Sequence, residues 1–235
     1  NCISNGTKQQ NGCGRMADIT SKALDNIKGL GATHIWYTGV IEHATQTDYS
    51  SYGIKKDHPA IVKGKAGSPY AIKDYYDIDP DLACDVKKRM KEFEALINRT
   101  HKESLKAIID FVPNHVAREY YSDAKPKNVK DLGEEDVKEV FFFNQNNFYY
   151  LVNESLEGRF DMLGGAEKPY SETPCKATGN NYFANNPGIY EWYETVKLNY
   201  GVDYYAGRIG YFEPVPNTWH KMLDILLFWS SKGVD

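Results

Sequence analysis

Apolar residues recur along this chain in two alternating spacings. Between positions 19 and 30 they fall three or four residues apart, which is typical of the buried side of an α-helix, and Gly29 and Gly31 mark its expected end. The segment that follows, HIWYTGV (34–40), is β-branched and aromatic, as in a buried strand. We therefore predict a helix of about three turns followed by a strand.

The same unit recurs further along the chain. A helical stripe over 86–97 precedes a nearly continuous apolar strand, LKAIIDFV (105–112). A third helix is predicted to begin with Asn217 as its N-cap and to reach Gly233, after which Val234 and Asp235 open another strand.

Helices that alternate with strands buried on both faces predict an α/β fold, either a barrel or a doubly wound sheet. A (β/α)₈ barrel needs about 250 residues before insertions, so three units make a partial barrel. The region 116–216 lacks this rhythm and is predicted to be an irregular inserted subdomain. The expected division is therefore 1–115, 116–216 and 217–235.

Composition narrows the function classes. A length of 235 residues with 41% hydrophobic residues allows one sizeable core. The net charge of −4 and pI near 5.9 do not favour nucleic acid as a partner, and no apolar run approaches a membrane span. The 18 tyrosines suit sugar surfaces, although half-buried tyrosines in a loop-rich protein would give the same count.

Four cysteines are present, Cys2, Cys13, Cys84 and Cys175, and none forms a CxxC pair. This pattern indicates neither a zinc site nor a disulfide-rich miniprotein. Cys2 and Cys13 enclose a short polar loop, so they either form a disulfide in an oxidising compartment or both remain free.

The sharpest candidate chemistry lies where the strand 105–112 ends. Asp110, Asn114 and His115 place a carboxylate, an amide and an imidazole together, and such groups can bind a ligand or merely cap a turn. A second segment, GSPYAIKDYYDIDP (67–80), carries Tyr70 and Asp74. An aromatic side chain near a strand end can stack on a pyranose ring.

These segments, in the order GLGATHIWYTGV, GSPYAIKDYYDIDP, SLKAIIDFVPNH, a long insertion, VKLNYGVDY and FWSSKGVD, resemble the α-amylase superfamily, glycoside hydrolase family 13. The resemblance implies a (β/α)₈ TIM barrel whose third strand ends in DFVPNH, with the insertion as domain B. It also implies that His115 and Tyr70 contact the sugar at the cleavage subsite and that Asp110 braces the site from within.

The resemblance further implies structural roles for Asp74 and Asn114, because Asn114 matches a position that ligates calcium in many members. In TVKLN (195–199), however, Lys197 stands where calcium-binding members usually carry aspartate. An ammonium repels a divalent cation and could itself bridge the barrel to domain B. We therefore expect no calcium at Asn114 and no other cofactor.

The mechanism implied is retaining hydrolysis or transglycosylation of α-linked glucans such as starch or maltooligosaccharides, with two carboxyl groups as nucleophile and acid/base. Both would follow Asp235, so we expect this chain to be a part of the enzyme that lacks them. Glu42 and His43 are interpreted as polar residues of a loop. Alternative interpretations of the function are a non-catalytic family member and an α-glucan transglycosylase or isomerase. Glucan substrates favour a periplasmic or secreted location.

Overall fold

The fold is described from a computed structural model, which covers residue 12, residues 14–157 and residues 169–235. Helix α1 (Ser21–Gly29) leads into strand β1 (His34–Tyr37), and helix α2 (Arg89–Lys102) leads into strand β4 (Lys106–Ile109). The two strands pair in parallel, with His34 opposite Lys106 and Tyr37 opposite Ile109. The two predicted helix–strand units are therefore present.

The remaining strands pair antiparallel. Between the two helix–strand units, β2 (Ile41–His43) pairs with β3 (Ile72–Ile78). In the region after β4 the pairs are β5 (His115–Ala117) with β8 (Thr195–Lys197), β6 (Tyr150–Leu151) with β7 (Cys175–Lys176), and β9 (Val202–Asp203) with β10 (Ile209–Gly210). Over the residues described, no closed barrel is formed.

Helix α3 (Asn217–Ser231) packs its buried face on the other elements. The Trp229 ring meets Phe93 of α2 edge to face at 5.5 Å, and its indole N–H donates to the Tyr75 carbonyl of β3 at 2.8 Å. Burial of an aromatic ring of this size contributes about 1.5–3 kcal/mol. The same core continues through Val116 and Val196 of the β5–β8 pair. The two helix–strand units and the β5–β8 pair therefore share one hydrophobic core.

Three details of the sequence prediction were wrong. Asn217 is the first helical residue and not the N-cap, which is Pro216 without a side-chain cap. The strands are shorter than the apolar runs, because the backbone ends its pairing at Tyr37 and Ile109. They are also not buried on both faces, since Trp36 is 66% exposed.

The chain beyond α3 lies beside β4. The Asp235 backbone N–H donates to the Ala107 carbonyl at 2.9 Å, and the Asp235 carboxylate accepts from the Ala107 N–H at 2.9 Å. Cys84 and Cys175 are free thiols, whereas Cys2 and Cys13 lie outside the described residues. None of the helices seen here has the length and apolar character that a membrane span requires.

Candidate functional site

Asp110 joins the ends of the two parallel strands. Its Oδ1 accepts from the Trp36 indole N–H at 2.6 Å, and its Oδ2 accepts from the Gly39 backbone N–H at 2.8 Å. Both donors come from the end of β1 and the turn after it, while Asp110 directly follows β4. The carboxylate therefore fixes the carboxyl ends of the two strands relative to each other.

Tyr70 and His115 line one cleft of about 300 Å³. Tyr70 is 52% exposed, whereas His115 on β5 is buried apart from the edge that faces the cleft. The other lining residues come from the segment before β3, the turn after β4 and the segment leading into β8: Lys63, Ser68, Ala71, Val112, Trp192, Glu194 and Thr195. Asp110 is not among the lining residues, so the structure brings together two of the three predicted sugar-binding residues.

Trp192 is a cleft residue that sequence reasoning missed. Its ring meets the His115 imidazole edge to face, with centroids 5.2 Å apart, and it is 42% exposed. Lys63 and Glu194 form an ion pair at the rim, with Lys63 Nζ 3.1 Å from a Glu194 carboxylate oxygen. Nothing in the local sequence marks these residues, because Trp192 and Glu194 reach the cleft through the β5–β8 pairing and Lys63 comes from the segment before β3.

The neighbours of His115 set its charge state. Burial lowers the pKa of His115, and the nearby Lys197 ammonium lowers that pKa further, while a hydrogen bond to the Tyr70 backbone raises it. The backbone of Gly179 lies against the imidazole, so closely that a Cβ on Gly179 would lie 2.8 Å from the His115 Cβ. These surroundings favour the neutral imidazole, which lies between Gly179 and Trp192.

Asn114 and Lys197 meet behind His115. Lys197 Nζ donates to Asn114 Oδ1 at 2.5 Å, and Asn114 Nδ2 donates to the Gly179 carbonyl at 2.9 Å. Burial lowers the pKa of Lys197. A calcium ion would need the oxygen of Asn114 that already accepts from an ammonium, and it would be repelled by that ammonium. The residues present therefore do not fit calcium at Asn114.

Asp74, predicted as a structural residue, is the third residue of strand β3 and is fully buried. Its Oδ1 accepts from the Tyr76 N–H at 2.7 Å and its Oδ2 from the Ala124 N–H at 3.2 Å. Burial raises the pKa of Asp74 to about 7. Asp74 therefore ties β3 to the segment after β5.

The interpretation of Glu42 and His43 as loop polarity was wrong, because both lie on β2 and are buried. His43 Nδ1 lies 2.8 Å from the Asp79 carboxylate, and His43 Nε2 lies 3.0 Å from the Ala66 carbonyl. Sequence alone missed this because β2 follows β1 after only three residues, which hides the second strand.

Comparison with known proteins decides the family. The family model described as the α-amylase catalytic domain matches residues 4–197. The chain belongs to this family. The match confirms the resemblance predicted from the motifs DFVPNH and GSPYAIKDYYDIDP, and it covers most of the length of this α-amylase-family chain.

Two curated relatives and one solved structure illustrate the similarity. Pullulanase A of Streptococcus pneumoniae is 26% identical over 204 residues, covering 78% of this chain and 15% of the relative. Maltase 1 of Drosophila virilis is 25% identical over 224 residues, covering 95% of this chain and 27% of the relative. This α-amylase-family chain thus spans under a third of the length of either relative.

The crystal structure of an α-amylase from Lactobacillus plantarum superposes with a TM-score of 0.50 at 23% identity, covering 94% of this chain and 33% of that chain. This likeness concerns the fold, and it is consistent with a (β/α)₈ architecture, although the described residues form few strands and no closed barrel.

Proposed function

We propose that the protein containing this chain is a glycoside hydrolase that cleaves α-linked glucans with retention of configuration. The chain supplies sugar-binding groups, and the two catalytic carboxyl groups come from further sequence of the same enzyme. Its family membership supports glycosidase chemistry, and its short coverage of the relatives supports a contribution from additional sequence. We also propose a periplasmic or secreted location, where polymeric glucans are met.

The observation that carries this proposal is the cleft shared by Tyr70, His115 and Trp192. Two aromatic faces suit the C–H face of a glucose ring, and a neutral imidazole can exchange a hydrogen bond with a sugar hydroxyl. The Lys63–Glu194 pair offers further polar groups at the rim. The cleft therefore combines an apolar platform with a few directed polar groups, as sugar sites require.

Asp110 would act indirectly in this scheme. Both of its carboxylate oxygens already accept hydrogen bonds from Trp36 and Gly39. The carboxylate holds the strand ends and does not line the cleft, so it is not placed to attack an anomeric carbon there.

Further barrel sequence has a place to bind. Trp36 of β1 and Ile108 of β4 are exposed on the sheet, and the outward side of α3 exposes Leu223, Leu226 and Leu227. Apolar faces of this size are usually covered. We propose that the remaining strands and helices of the barrel bury them.

Lys197 takes the structural place of calcium in this proposal. The ammonium links β8 to Asn114, which follows the barrel strand β4. A hydrogen-bonded cation of this kind bridges the inserted region and the barrel without a metal at that point.

The test uses the full-length protein with a panel of starch, pullulan, maltoheptaose and isomaltooligosaccharides. Release of reducing ends, with α-anomeric product seen first by proton NMR, supports a retaining α-glucan hydrolase. Longer oligosaccharide products at high substrate concentration would instead indicate a transglycosylase. Binding without any turnover would replace the proposal by a non-catalytic family member.

A further inference from the structure

Four carboxyl groups converge away from the sugar cleft. Glu42 of β2, Asp74 and Asp77 of β3, and Asp123 after β5 place one oxygen each within 4.8 Å of one another. Glu42, Asp74 and Asp77 are buried, whereas Asp123 is an exposed residue whose side chain is 18% exposed, so solvent reaches the cluster beside Asp123.

A local irregularity of the β2–β3 pair accounts for this convergence. The partner of Ile41 is Ile78, but the partner of the next residue, Glu42, is Asp74, so the register shifts between them. Such a bulge changes the direction of side chains on the strand. It allows Asp74 and Asp77, three positions apart, to share one side with Glu42.

Glu42 is the unsatisfied member of the cluster. Glu42 is 1% exposed, and neither of its carboxylate oxygens has a hydrogen-bond partner among the described residues. In contrast, Asp74 and Asp77 accept from the backbone N–H groups of Tyr76 and Ile78. A buried carboxyl group without partners is costly, so Glu42 needs either a proton or a cation beside it.

The charges around the cluster leave room for a cation. Arg89 donates to Asp77 through Nε at 2.8 Å and lies 3.5 Å from Asp123. The neighbouring Lys73 is engaged with Asp57, 3.1 Å away. Four carboxyl groups therefore face one guanidinium, so the cluster carries an excess of negative charge when all four are ionised.

We propose that Glu42, Asp74, Asp77 and Asp123 form a calcium site that links the β2–β3 pair to the segment after β5. Calcium takes oxygen ligands at about 2.3–2.6 Å, so two ligands on opposite sides of the ion lie about 4.6–5.2 Å apart. Oxygen separations of up to 4.8 Å are compatible with that span. Magnesium, with ligands at about 2.0–2.1 Å, would need a tighter cluster.

This site is separate from Asn114, where Lys197 opposes a cation. Asn114 is not one of the proposed ligands, and three of the four ligands lie on β2 and β3. Its expected role is structural, since the ion would join residues 42 and 123, which are distant in the chain.

The experiment is calcium titration of the EDTA-treated full-length protein by calorimetry, with the wild type compared with Glu42→Gln, Asp123→Asn and the control Glu139→Gln, which changes an exposed carboxylate outside the cluster. We expect both cluster variants to lose affinity for one calcium ion by about tenfold or more, because affinity follows the number of charged ligands. The control should bind as the wild type does. Thermal unfolding with and without calcium should show the same ranking.

Asp123→Asn keeps the test decisive if Glu42→Gln does not fold, because Asp123 is exposed. Equal calcium affinity in the wild type and Asp123→Asn would overturn the proposal, as would binding of magnesium in preference to calcium. No calcium binding by the wild type, together with a Glu42→Gln variant of unchanged or higher stability, would show that Glu42 holds a proton instead.

Discussion

Lys197 Nζ and Asn114 Oδ1 are joined by a hydrogen bond of 2.5 Å. This contact connects β8, within the predicted inserted region, to the segment between β4 and β5. Because Asn114 also holds the Gly179 carbonyl, Lys197 orders the residues directly behind His115.

Replacing Lys197 by Met should remove this donor and leave Asn114 Oδ1 without a partner. We expect a loss of about 1–3 kcal/mol in the free energy of unfolding, which is the cost of an unsatisfied buried polar group. Urea denaturation measures it, with Lys127→Met, an exposed lysine, as the control. Equal midpoints for both variants would show that the contact carries no stability.

Trp192→Ala should weaken maltooligosaccharide binding roughly tenfold, about 1.4 kcal/mol, because it removes one aromatic wall of the cleft. Calorimetry with maltoheptaose and the full-length protein measures the change. Tyr52→Ala, at an equally exposed aromatic residue outside the cleft, serves as the control, and similar weakening there would contradict a specific role for Trp192.

Tyr70→Ala tests the aromatic residue found from sequence. We expect KM for a glucan substrate to rise severalfold, about 1 kcal/mol of lost stacking, while Tyr52→Ala, outside the cleft and also exposed, leaves kinetics unchanged. An unchanged KM in Tyr70→Ala would remove this residue from the sugar site.

His115 should titrate below its usual pKa of 6.5, because burial and Lys197 both disfavour the imidazolium. A folded-state pKa below the unfolded value means that this residue contributes stability above pH 6.5, and that this stability is lost as the pH falls through the lowered folded-state pKa. NMR titration of the ring protons measures the pKa. Lys197→Met should raise it, and a titration midpoint above 6.5 in the wild type would contradict the described environment.

Arg118 is a buried hub for the β7 and β8 strands. Its guanidinium donates to Glu172 at 2.6 Å and to the carbonyls of Tyr193 and Lys176. Arg118→Met should cost about 3 kcal/mol, because buried Glu172 would lose its shorter ion pair and keep only the one with Lys176 at 3.4 Å. Thermal unfolding measures the effect, and Arg208→Met at an exposed position should change little.

The sequence predicts those parts of the fold that depend on residues close together in the chain. The helical spacing over 19–30 and the apolar run before Asp110 each depend on residues near in the chain, and α1 and β4 appear where expected. The β1–β4 pairing also follows, since such units build parallel sheets. The residues over 116–216 gave no period, because their strands are two or three residues long.

The cleft could be predicted only in part for the same reason. His115 and Tyr70 lie in recognisable motifs, but Trp192 reaches His115 through the pairing of β5 with β8, 77 residues along the chain. Glu42 was misinterpreted because β2 follows β1 after only three residues, so the sequence did not reveal a separate buried strand. The pairing register between strands that are distant in the chain is what could not be predicted from the sequence here.

The close approach of Gly179 to His115 has a consequence for how this protein tolerates change. Any side chain at position 179 would collide with the His115 Cβ and with the Thr195 hydroxyl, 2.5 Å from the added carbon. A saturation screen scored on sugar turnover would therefore mark Gly179 as intolerant, side by side with true ligand-contacting positions. The cause would be the lack of space for a side chain beside His115, because Gly179 itself has no side chain with which to contact the substrate.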